Sequence, residues 1–322
     1  MKISVVMTTY NGQKYIKKQL ESIELQTVKI DEVIIIDDCS NDDTVEIVNE
    51  FIHNKQLTGW ILEENKNNLG YIENFKKGLS QATGDIIFLC DQDDIWKLNK
   101  VEIMANILSH NKNMYSLASS FEFINQNDEK FDIKEQKNKS NNNLINFVIR
   151  SKLTKIDLKY LLRCNFSQGC TMAVRKELVE EYLNVFNKSI PHDWALNLIA
   201  ASHHGCYYLD EKLIKYRIHN NNTIGLDFIE DSIFDEKSKR TKDRLSYLEA
   251  ELDKTEFILN FNLKTDDNVM CLENKQYLND RIRFLKEKKI LKLCAYFIKG
   301  GYLKFGKLKT FLGDVVSVFR CV

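Results

Sequence analysis

Residues 85–100 read DIIFLCDQDDIWKLNK, and this stretch decides the fold. Residues 86–90 form a continuous apolar run without a helical period, which predicts a strand buried on both faces of a mostly parallel sheet. The run stops at three carboxylates, Asp91, Asp93 and Asp94. Because open α/β sheets bind ligands at the carboxyl ends of their strands, we expect a ligand site at this point.

The three carboxylates indicate the kind of ligand. Their mutual repulsion destabilises the fold unless a cation or a hydrogen-bonding group lies among them. Carboxylate oxygens suit Mg²⁺ or Mn²⁺ bridging to phosphates. The alternative is a solvated acidic turn that caps a helix beginning near Trp96, because short acidic motifs often arise by accident.

The residues before this stretch repeat a strand, loop and helix pattern. Apolar runs predict strands at 3–7, 33–36 and 60–63, and each is followed by polar residues and then by apolar positions at helical spacing, as in Ile16, Leu20 and Ile23. Ser40 or Asn41 can cap the second helix. Strands alternating with helices as far as residue 110 predict βαβ units and a parallel sheet.

The loops of this half narrow the class of ligand. Neither G-x-G-x-x-G nor G-x-x-x-x-G-K-[ST] occurs, which argues against dinucleotide-binding and P-loop proteins. The strand ends instead present side chains that can hydrogen-bond a base and a ribose: Thr8, Tyr10, Asp38, Asn68 and Asp91. Local alternatives are helix capping by Asp37, Asp38 and Ser40, a core position for Tyr10, and an ordinary turn at Asn68 and Gly70.

Three blocks in order, SVVMTTYNGQKYIKKQLESIELQT, DEVIIIDDCSNDDT and NLGYIENFKKGLSQATGDIIFLCDQDDIW, resemble the nucleotide-binding half of family 2 glycosyltransferases, inverting enzymes of GT-A fold. The resemblance covers about the first hundred residues. It implies that Thr9 and Tyr10 border the nucleotide, that Asp38 contacts the base or ribose, and that Asp91 contacts the ribose. It also implies that Asp93 binds the metal ion, while Asp94 resembles a variant of the rhamnosyltransferase-like branch.

The middle of the chain departs from this pattern. Residues 125–143 are rich in Asn, Lys, Asp and Glu, and we interpret them as a mobile lid on the acceptor side or as a disordered segment. Residues 144–162 are predicted to be mostly helical. The following NFSQGCTMAVR at 165–175 predicts a strand entered through a tight turn.

Two later blocks complete the predicted site. Pro191-His192-Asp193-Trp194 opens a helix, and locally Asp193 is an ordinary first-turn residue. The resemblance makes Asp193 the base that deprotonates the acceptor hydroxyl. The strand ending in YRIH resembles a block that returns to the donor phosphates, which implies that Arg217 pairs with the diphosphate and that His219 binds the metal or a phosphate.

The C-terminal part is predicted to be helical from about residue 226. From residue 281 onward eleven Lys or Arg residues stand against two acidic ones, with apolar residues between them. Such a basic amphipathic tail is typical of a segment lying on an anionic membrane. The alternative is a helical hairpin, broken at Gly300-Gly301, packed with its Lys face in water.

Composition adds limits on compartment and partner. Lys plus Arg and Asp plus Glu both number 46, so no overall field favours nucleic acid. The eight cysteines show no metal-ligand spacing and indicate a reduced, cytosolic protein. No leader and no spanning apolar run are apparent. We expect a protein at the cytoplasmic face of the membrane.

The sequence therefore predicts a metal-dependent inverting glycosyltransferase. Residues 1–110 are expected to bind a nucleoside-diphosphate sugar, with dTDP-rhamnose the best candidate, and residues 111–225 a saccharide or lipid-linked acceptor in cell-surface polysaccharide synthesis. Two alternatives stay open. A sugar nucleotidyltransferase needs a Gly-rich, basic first loop, which TTYNGQ lacks, and a non-catalytic nucleotide-sugar-binding scaffold tolerates loss of Asp193.

Overall fold

The computed structural model describes residues 1–219, 244–306 and 308–320, with side chains as far as 318. The chain divides into two compact units. The first comprises Met1–Asp157 and Cys164–Ile229, and the second comprises Leu158–Arg163 and Glu230–Val322. The predicted domain boundary at 225/226 lies outside the described residues.

The first unit is built on one ten-stranded sheet. Its strands are β1 Ile3–Thr9, β2 Glu32–Asp37, β3 Trp60–Glu64, β4 Ile86–Cys90, β5 Ile95–Trp96, β6 Ser116–Ile124, β7 Lys130–Phe131, β8 Leu153–Lys155, β9 Met172–Arg175 and β10 Cys206–Arg217. The main path runs β3-β2-β1-β4-β9-β6-β10-β5, with β7 on β6 and β8 on β10. Strands β1 to β4 are parallel to their neighbours in the β3-β2-β1-β4 series, and β9 is antiparallel to both β4 and β6. The predicted mixed α/β fold is confirmed.

Helices flank this sheet because their apolar faces need cover. They are α1 Ile16–Glu24, α2 Thr44–Lys55, α3 Tyr71–Gln81, α4 Lys100–His110, α6 Lys176–Asn184 and α7 His192–Ser202; α5 Leu158–Leu161 belongs to the second unit. The predicted apolar face of α1 is buried, with Ile16, Leu20 and Ile23 at most 1% exposed. All five residues of β4 are buried as well, as its unbroken apolar run predicts.

Two predicted helix starts were wrong. No helix begins near Trp96, because Ile95 and Trp96 pair with Lys215 and Ile214 of β10, and α4 starts only at Lys100. Neither Ser40 nor Asn41 caps α2, which begins at Thr44. The hydroxyl of Ser40 instead donates to Asp37. Helix capping therefore does not explain the acidic pair Asp37 and Asp38.

The helical prediction for residues 144–162 was also wrong. The segment contains strand β8, which pairs antiparallel with Tyr207–Leu209 of β10, and only a one-turn helix, α5. The pairing partner lies about fifty residues away in the chain, so local apolar spacing carries no record of it.

Residues 125–143 are exposed over much of their length, but particular side chains anchor the segment to the sheet. Phe131 of β7 stacks on Phe123 with ring centroids 5.5 Å apart. Asn141 and Asn143 are buried, and they bond to Ser120 Oγ and to the backbone N–H of Gln136 at 2.9 and 2.7 Å. These bonds disfavour the disordered-segment alternative, and the lid role stays a prediction.

The second unit is helical in its described part. It contains α5 together with α8 Arg244–Leu259, α9 Thr265–Lys286, α10 Ile290–Ile298 and α11 Leu308–Arg320. Its centre holds an aspartate, Asp314, which is fully buried. The carboxylate accepts bonds from Arg281 at 2.7 and 2.9 Å, from Tyr302 at 2.6 Å, and from Arg244. A buried charge with this many donors is satisfied.

The helical structure of the tail is interrupted at Gly300-Gly301, as predicted from the sequence. Helix α10 ends before Gly300, whose φ of +80° is a left-handed conformation that favours glycine. Three apolar side chains near this break are more than 80% exposed: Leu291, Ile298 and Leu303. Among the described residues, no helix combines the length and the hydropathy that crossing a membrane requires.

Candidate functional site

A cavity of about 390 Å³ opens at the carboxyl ends of β1, β2 and β4 in the first unit. Parallel strands bring their carboxyl ends to one edge, which is why residues far apart in the chain meet here. Seven of the predicted site residues line the cavity: Thr9, Tyr10, Asp38, Asn68, Asp91, Asp93 and Asp193.

The two predicted metal ligands are adjacent. Nε2 of His219 lies 2.8 Å from Oδ2 of Asp93, across 126 positions of sequence. Asp93 faces the cavity, and both side chains are largely shielded from solvent, at 13% and 11% exposed. A carboxylate oxygen and an imidazole nitrogen together fit a divalent ion such as Mn²⁺.

The other two carboxylates of the motif lie deeper. Burial and the charge of Asp93 raise the pKa of Asp91 to about 7. Burial, with the charges of Asp93 and Asp91, raises the pKa of Asp94 well above its ordinary range. Asp94 is fully buried and accepts the backbone N–H of Arg217 at 3.0 Å, so this carboxyl group joins the end of β4 to β10.

A second acidic cluster is formed by Asp91, Asp94 and Cys170, whose possible ligand atoms lie within 4.8 Å of one another. Burial raises the pKa of the Cys170 thiol well above its ordinary range, which keeps its proton on the sulfur. A metal ligand needs the thiolate, and Mg²⁺ prefers oxygen. Without an ion, the cluster is a hydrogen-bonded core in which the Cys170 side chain bonds to the two carboxyl groups.

The predicted diphosphate ligand Arg217 has a different setting. Its guanidinium is fully buried, donates to the carbonyls of Asp93 and Asn125 at 2.6 and 3.0 Å, and pairs with Asp128 at 2.5 Å. The Cζ atom of Arg217 lies 4.5 Å from the ring centroid of Tyr15. Arg217 thus links the backbone at Asp93, the predicted metal ligand, to residues 125–128. Its contact with a diphosphate stays a prediction.

Asp38 is at the cavity wall but is already bonded. Its carboxylate accepts the backbone N–H groups of Leu69 and Gly70, both at 2.8 Å, and the side-chain amide of Asn65 at 2.9 Å. These bonds shape the loop that presents Asn68. A direct contact of Asp38 with a base or ribose stays a prediction.

Gln92 joins the first loop to the acidic motif, a role the sequence reading missed. Its side-chain amide accepts the N–H of Tyr10 at 2.8 Å and donates to the carbonyl of Tyr10 at 2.9 Å. An added Cβ at Gly12 would lie 2.2 Å from Gln92 Oε1, so glycine provides the room. The ring of Tyr10 stays 45% exposed at the cavity.

The predicted base Asp193 lies in the first turn of α7. One carboxylate oxygen accepts the amide of Asn165 and the other the N–H of Trp194, both at 2.8 Å. Burial nevertheless raises its pKa from 3.8 to about 6. A carboxylate with this pKa is suited to general-base chemistry near neutral pH.

A buried lysine behind the carboxylates was also missed. Lys100 is fully buried, its Nζ donates to the carbonyl of Cys170 at 2.8 Å, and it lies 3.6 Å from the ring centroid of Trp96. Burial lowers its pKa to about 8. The sequence carries no local signal for this contact, because Trp96 lies in strand β5 and Lys100 begins helix α4.

With this geometry established, comparison with known proteins assigns the family. The model of glycosyl transferase family 2 matches residues 4–183. This span is more than half of the chain, and the chain belongs to that family. The predicted family membership is confirmed.

Curated relatives agree with this assignment, and solved structures share the fold. An uncharacterized glycosyltransferase of Haemophilus influenzae is 29% identical over 69% of this chain and 67% of its own. The dTDP-rhamnosyl transferase RfbG of Shigella flexneri is 29% identical over 68% and 73%. TarS 1-349 of S. aureus with UDP-GlcNAc superposes with a TM-score of 0.59 at 18% identity, covering 99% of this chain and 81% of its own. The mannosyltransferase PcManGT of Pyrobaculum calidifontis, with GDP-Man and Mn²⁺, gives 0.55 at 14%, covering 99% and 84%.

Proposed function

We propose that this protein is an inverting glycosyltransferase that transfers a sugar from a nucleoside-diphosphate donor to a saccharide or lipid-linked saccharide acceptor. One observation carries the proposal: a single cavity is lined by the strand-end residues Thr9, Tyr10 and Asn68, by the acidic pair Asp91 and Asp93, and by the isolated carboxylate of Asp193. The first set and Asp91 suit a nucleotide, Asp93 suits a metal ion on the diphosphate, and Asp193 suits a base.

The chemistry is a single displacement. Ionised Asp193 takes the proton of the acceptor hydroxyl as that oxygen attacks the anomeric carbon, and the bond to the diphosphate breaks on the opposite side. Asn165 keeps the carboxylate oriented through its 2.8 Å bond. No covalent intermediate with the enzyme forms, so the configuration at the anomeric carbon inverts.

Asp93 and His219 are the residues that would hold Mg²⁺ or Mn²⁺. When bound, the ion would neutralise charge on the departing diphosphate. The contribution of the chain is to fix these two ligands: Arg217 holds the carbonyl of Asp93, and the ring of Tyr15 lies 4.8 Å from that of His219. Asp91 contributes a further carboxyl at the cavity, for the ribose of the donor.

The best candidate for the donor is dTDP-rhamnose. The support is the 29% identity to the dTDP-rhamnosyl transferase of Shigella flexneri together with the DQDD, HDW and YRIH blocks. This choice also supports a role in cell-surface polysaccharide synthesis. UDP-GlcNAc and GDP-mannose are the natural comparison donors, because structural neighbours contain them.

The test is a binding panel. Thermal unfolding is measured with dTDP-rhamnose, UDP-GlcNAc and GDP-mannose, each with and without Mn²⁺ or Mg²⁺. A ligand at a hundred times its Kd adds roughly 2.7 kcal/mol to the free energy of unfolding. We expect stabilisation by dTDP-rhamnose only in the presence of metal; stabilisation by no nucleotide sugar under any condition would contradict the proposal.

We further propose peripheral association with an anionic membrane at the cytoplasmic face. The exposed side chains Leu291, Ile298 and Leu303 lie within the basic stretch, beside exposed Lys292, Lys299 and Lys304. On α11, Leu308, Leu312 and Val316 follow at i, i+4 and i+8, and they are 58%, 51% and 44% exposed. Apolar insertion flanked by lysines matches the surface of anionic lipids.

Vesicle sedimentation tests this association. Replacing Leu291, Ile298 and Leu303 by Glu should abolish pelleting with phosphatidylglycerol vesicles, and high salt should weaken pelleting of the unchanged protein. The matched control replaces Val269 and Leu272, exposed residues of α9 in the same unit, by Glu. This control should change pelleting little. Absence of wild-type pelleting at low salt would contradict the membrane proposal.

A further inference from the structure

The wall of the cavity beside Asp193 contains a buried histidine that has no hydrogen-bond partner among the described residues. His192 is 5% exposed and lines the cavity, and no residue that the structure describes bonds its Nδ1 or Nε2. A buried polar atom left unbonded costs about 1–3 kcal/mol. Such a cost is offset when a ligand supplies the missing bonds.

Packing alone fixes the ring. It stacks on Phe75 with centroids 3.9 Å apart and planes 24° apart, and Tyr71 meets it edge-on at 6.0 Å. An added Cβ at Gly169 would lie 2.6 Å from Nε2, so glycine is required where the ring edge passes the loop. The imidazole is therefore held in place by packing, and neither nitrogen is bonded within the described part of the chain.

A second unbonded atom lies next to this loop. Gln168, adjacent to Gly169, also lines the cavity, and its buried Oε1 has no partner in the part of the chain that the structure describes. Burial lowers the pKa of His192 to about 3, so the ring is neutral and offers one N–H donor and one acceptor. Together with Gln168 Oε1, the wall contains one buried donor and two buried acceptors that no described residue bonds, a set that matches a ligand with several hydroxyl groups.

We infer that His192 and Gln168 form the subsite for the hydroxyl groups of the transferred sugar, and thereby select among donors. This inference rests on the proposed function. The sugar of the donor is favoured over the acceptor because His192 stacks on α3, the helix that follows the Asn68 loop of the nucleotide-binding half. Uncharged hydroxyls suit a neutral ring stacked on Phe75, since a charged group would lose hydration here.

The test distinguishes contacts with the sugar from contacts with the nucleotide. His192→Phe keeps an aromatic ring on Phe75 and removes both nitrogens. Affinities for dTDP-rhamnose, UDP-GlcNAc and GDP-mannose are measured with Mn²⁺ and without acceptor, beside those for dTDP, UDP and GDP. We expect the donor bound by the wild type to lose about tenfold or more in affinity, with its nucleoside diphosphate unchanged. Gln168→Ala should act in the same direction.

Two further variants keep the test decisive. Gly169→Ala presses on the ring without removing its nitrogens and should also weaken the nucleotide sugar alone. His203→Phe is the matched control, since His203 follows the same helix but bonds to Glu181 outside the cavity, and it should change no affinity. Melting temperatures establish that each variant is folded.

The outcomes are distinct. Equal losses for nucleoside diphosphate and nucleotide sugar, or no loss for either, would overturn the subsite. A changed KM for the acceptor with unchanged donor affinity would assign His192 to the acceptor and overturn the inference equally. If the wild type binds none of these nucleotides, the proposed function fails and the subsite with it.

Discussion

At the scale of single residues, Asp93 is the carboxylate that faces both the cavity and an imidazole. We predict that Asp93→Asn removes metal-dependent stabilisation by nucleotide sugars and abolishes transfer. The free energy of unfolding of the metal-free protein should stay equal or rise, because one charge leaves a repulsive cluster. Thermal shift and transfer assays with Mn²⁺ check this.

The control for Asp93→Asn is Asp43→Asn, an exposed aspartate before α2 whose side chain caps nothing. It should leave binding and transfer unchanged. If Asp93→Asn retains transfer that still requires metal, Asp93 is not a ligand of the ion.

Asp193 is predicted to act only in transfer. Asp193→Asn should keep donor affinity and lose transfer by about 10²–10⁴-fold, the range typical of a general base. In the wild type the rate should rise as pH passes about 6 and then level off, because the reacting form is the carboxylate. A pH–rate profile and a donor titration measure the two effects, and a loss of donor affinity would make Asp193 a donor-site residue.

The same raised pKa has a consequence for stability. A carboxyl group with a pKa of about 6 in the fold and an ordinary value when unfolded holds its proton more tightly in the fold. Its effect is absent below pH 4, and it disfavours the fold by about 3 kcal/mol above pH 6. Asp193→Asn should therefore be more stable than the wild type at pH 8 and equal to it at pH 4, as measured by urea unfolding.

At the scale of elements, helix α3 depends on a close approach to the sheet. An added Cβ at Gly78 would lie 2.5 Å from Val6 and 3.2 Å from Ile36. We predict that Gly78→Ala lowers the free energy of unfolding by roughly 1–3 kcal/mol, because the core has no room for the methyl group. Ser80→Ala, on the exposed face of the same helix, should stay within about 0.5 kcal/mol; equal effects would mean that the contact relaxes freely.

The elements also show what the sequence could and could not reveal. Strand β4 was predictable because its burial on both faces leaves an unbroken apolar run, and its acidic end located the cavity. Strand β8 was not, since three residues become a strand only by pairing with β10. The contacts of Gln92 and His192 were hidden for a similar reason: the first depends on the space above Gly12, and the second depends on the space above Gly169.

At the scale of the whole molecule, the second unit depends on one buried charge. Asp314→Ala leaves the guanidinium of Arg281, which is 4% exposed, without its partner. Breaking a buried pair in this way costs about 3–5 kcal/mol, and we predict that helical content is lost at lower urea concentration. Circular dichroism measures the change, with Asp253→Ala on α8 as control.

The pH dependence of that charge is opposite in sign to that of Asp193. Its bonds to Arg281 and Tyr302 outweigh burial and lower the pKa of Asp314. The stabilisation is therefore present at neutral pH and is lost as pH falls below the ordinary value towards the lowered one. A wild-type protein as stable at pH 2 as at pH 7 would contradict this contribution.

The bond between Asp94 and the N–H of Arg217 spans 123 residues. Strand β9 lies between β4 and β6, which are both synthesised well before it. On the ribosome, β1 to β4 emerge first, and β4 has a free edge until residues 172–175 follow. The acidic motif stays open to water until β10 leaves the exit tunnel. We therefore expect nascent chains to need protection from aggregation during this interval, and the reaction centre to form last, because contacts this distant in sequence close slowly.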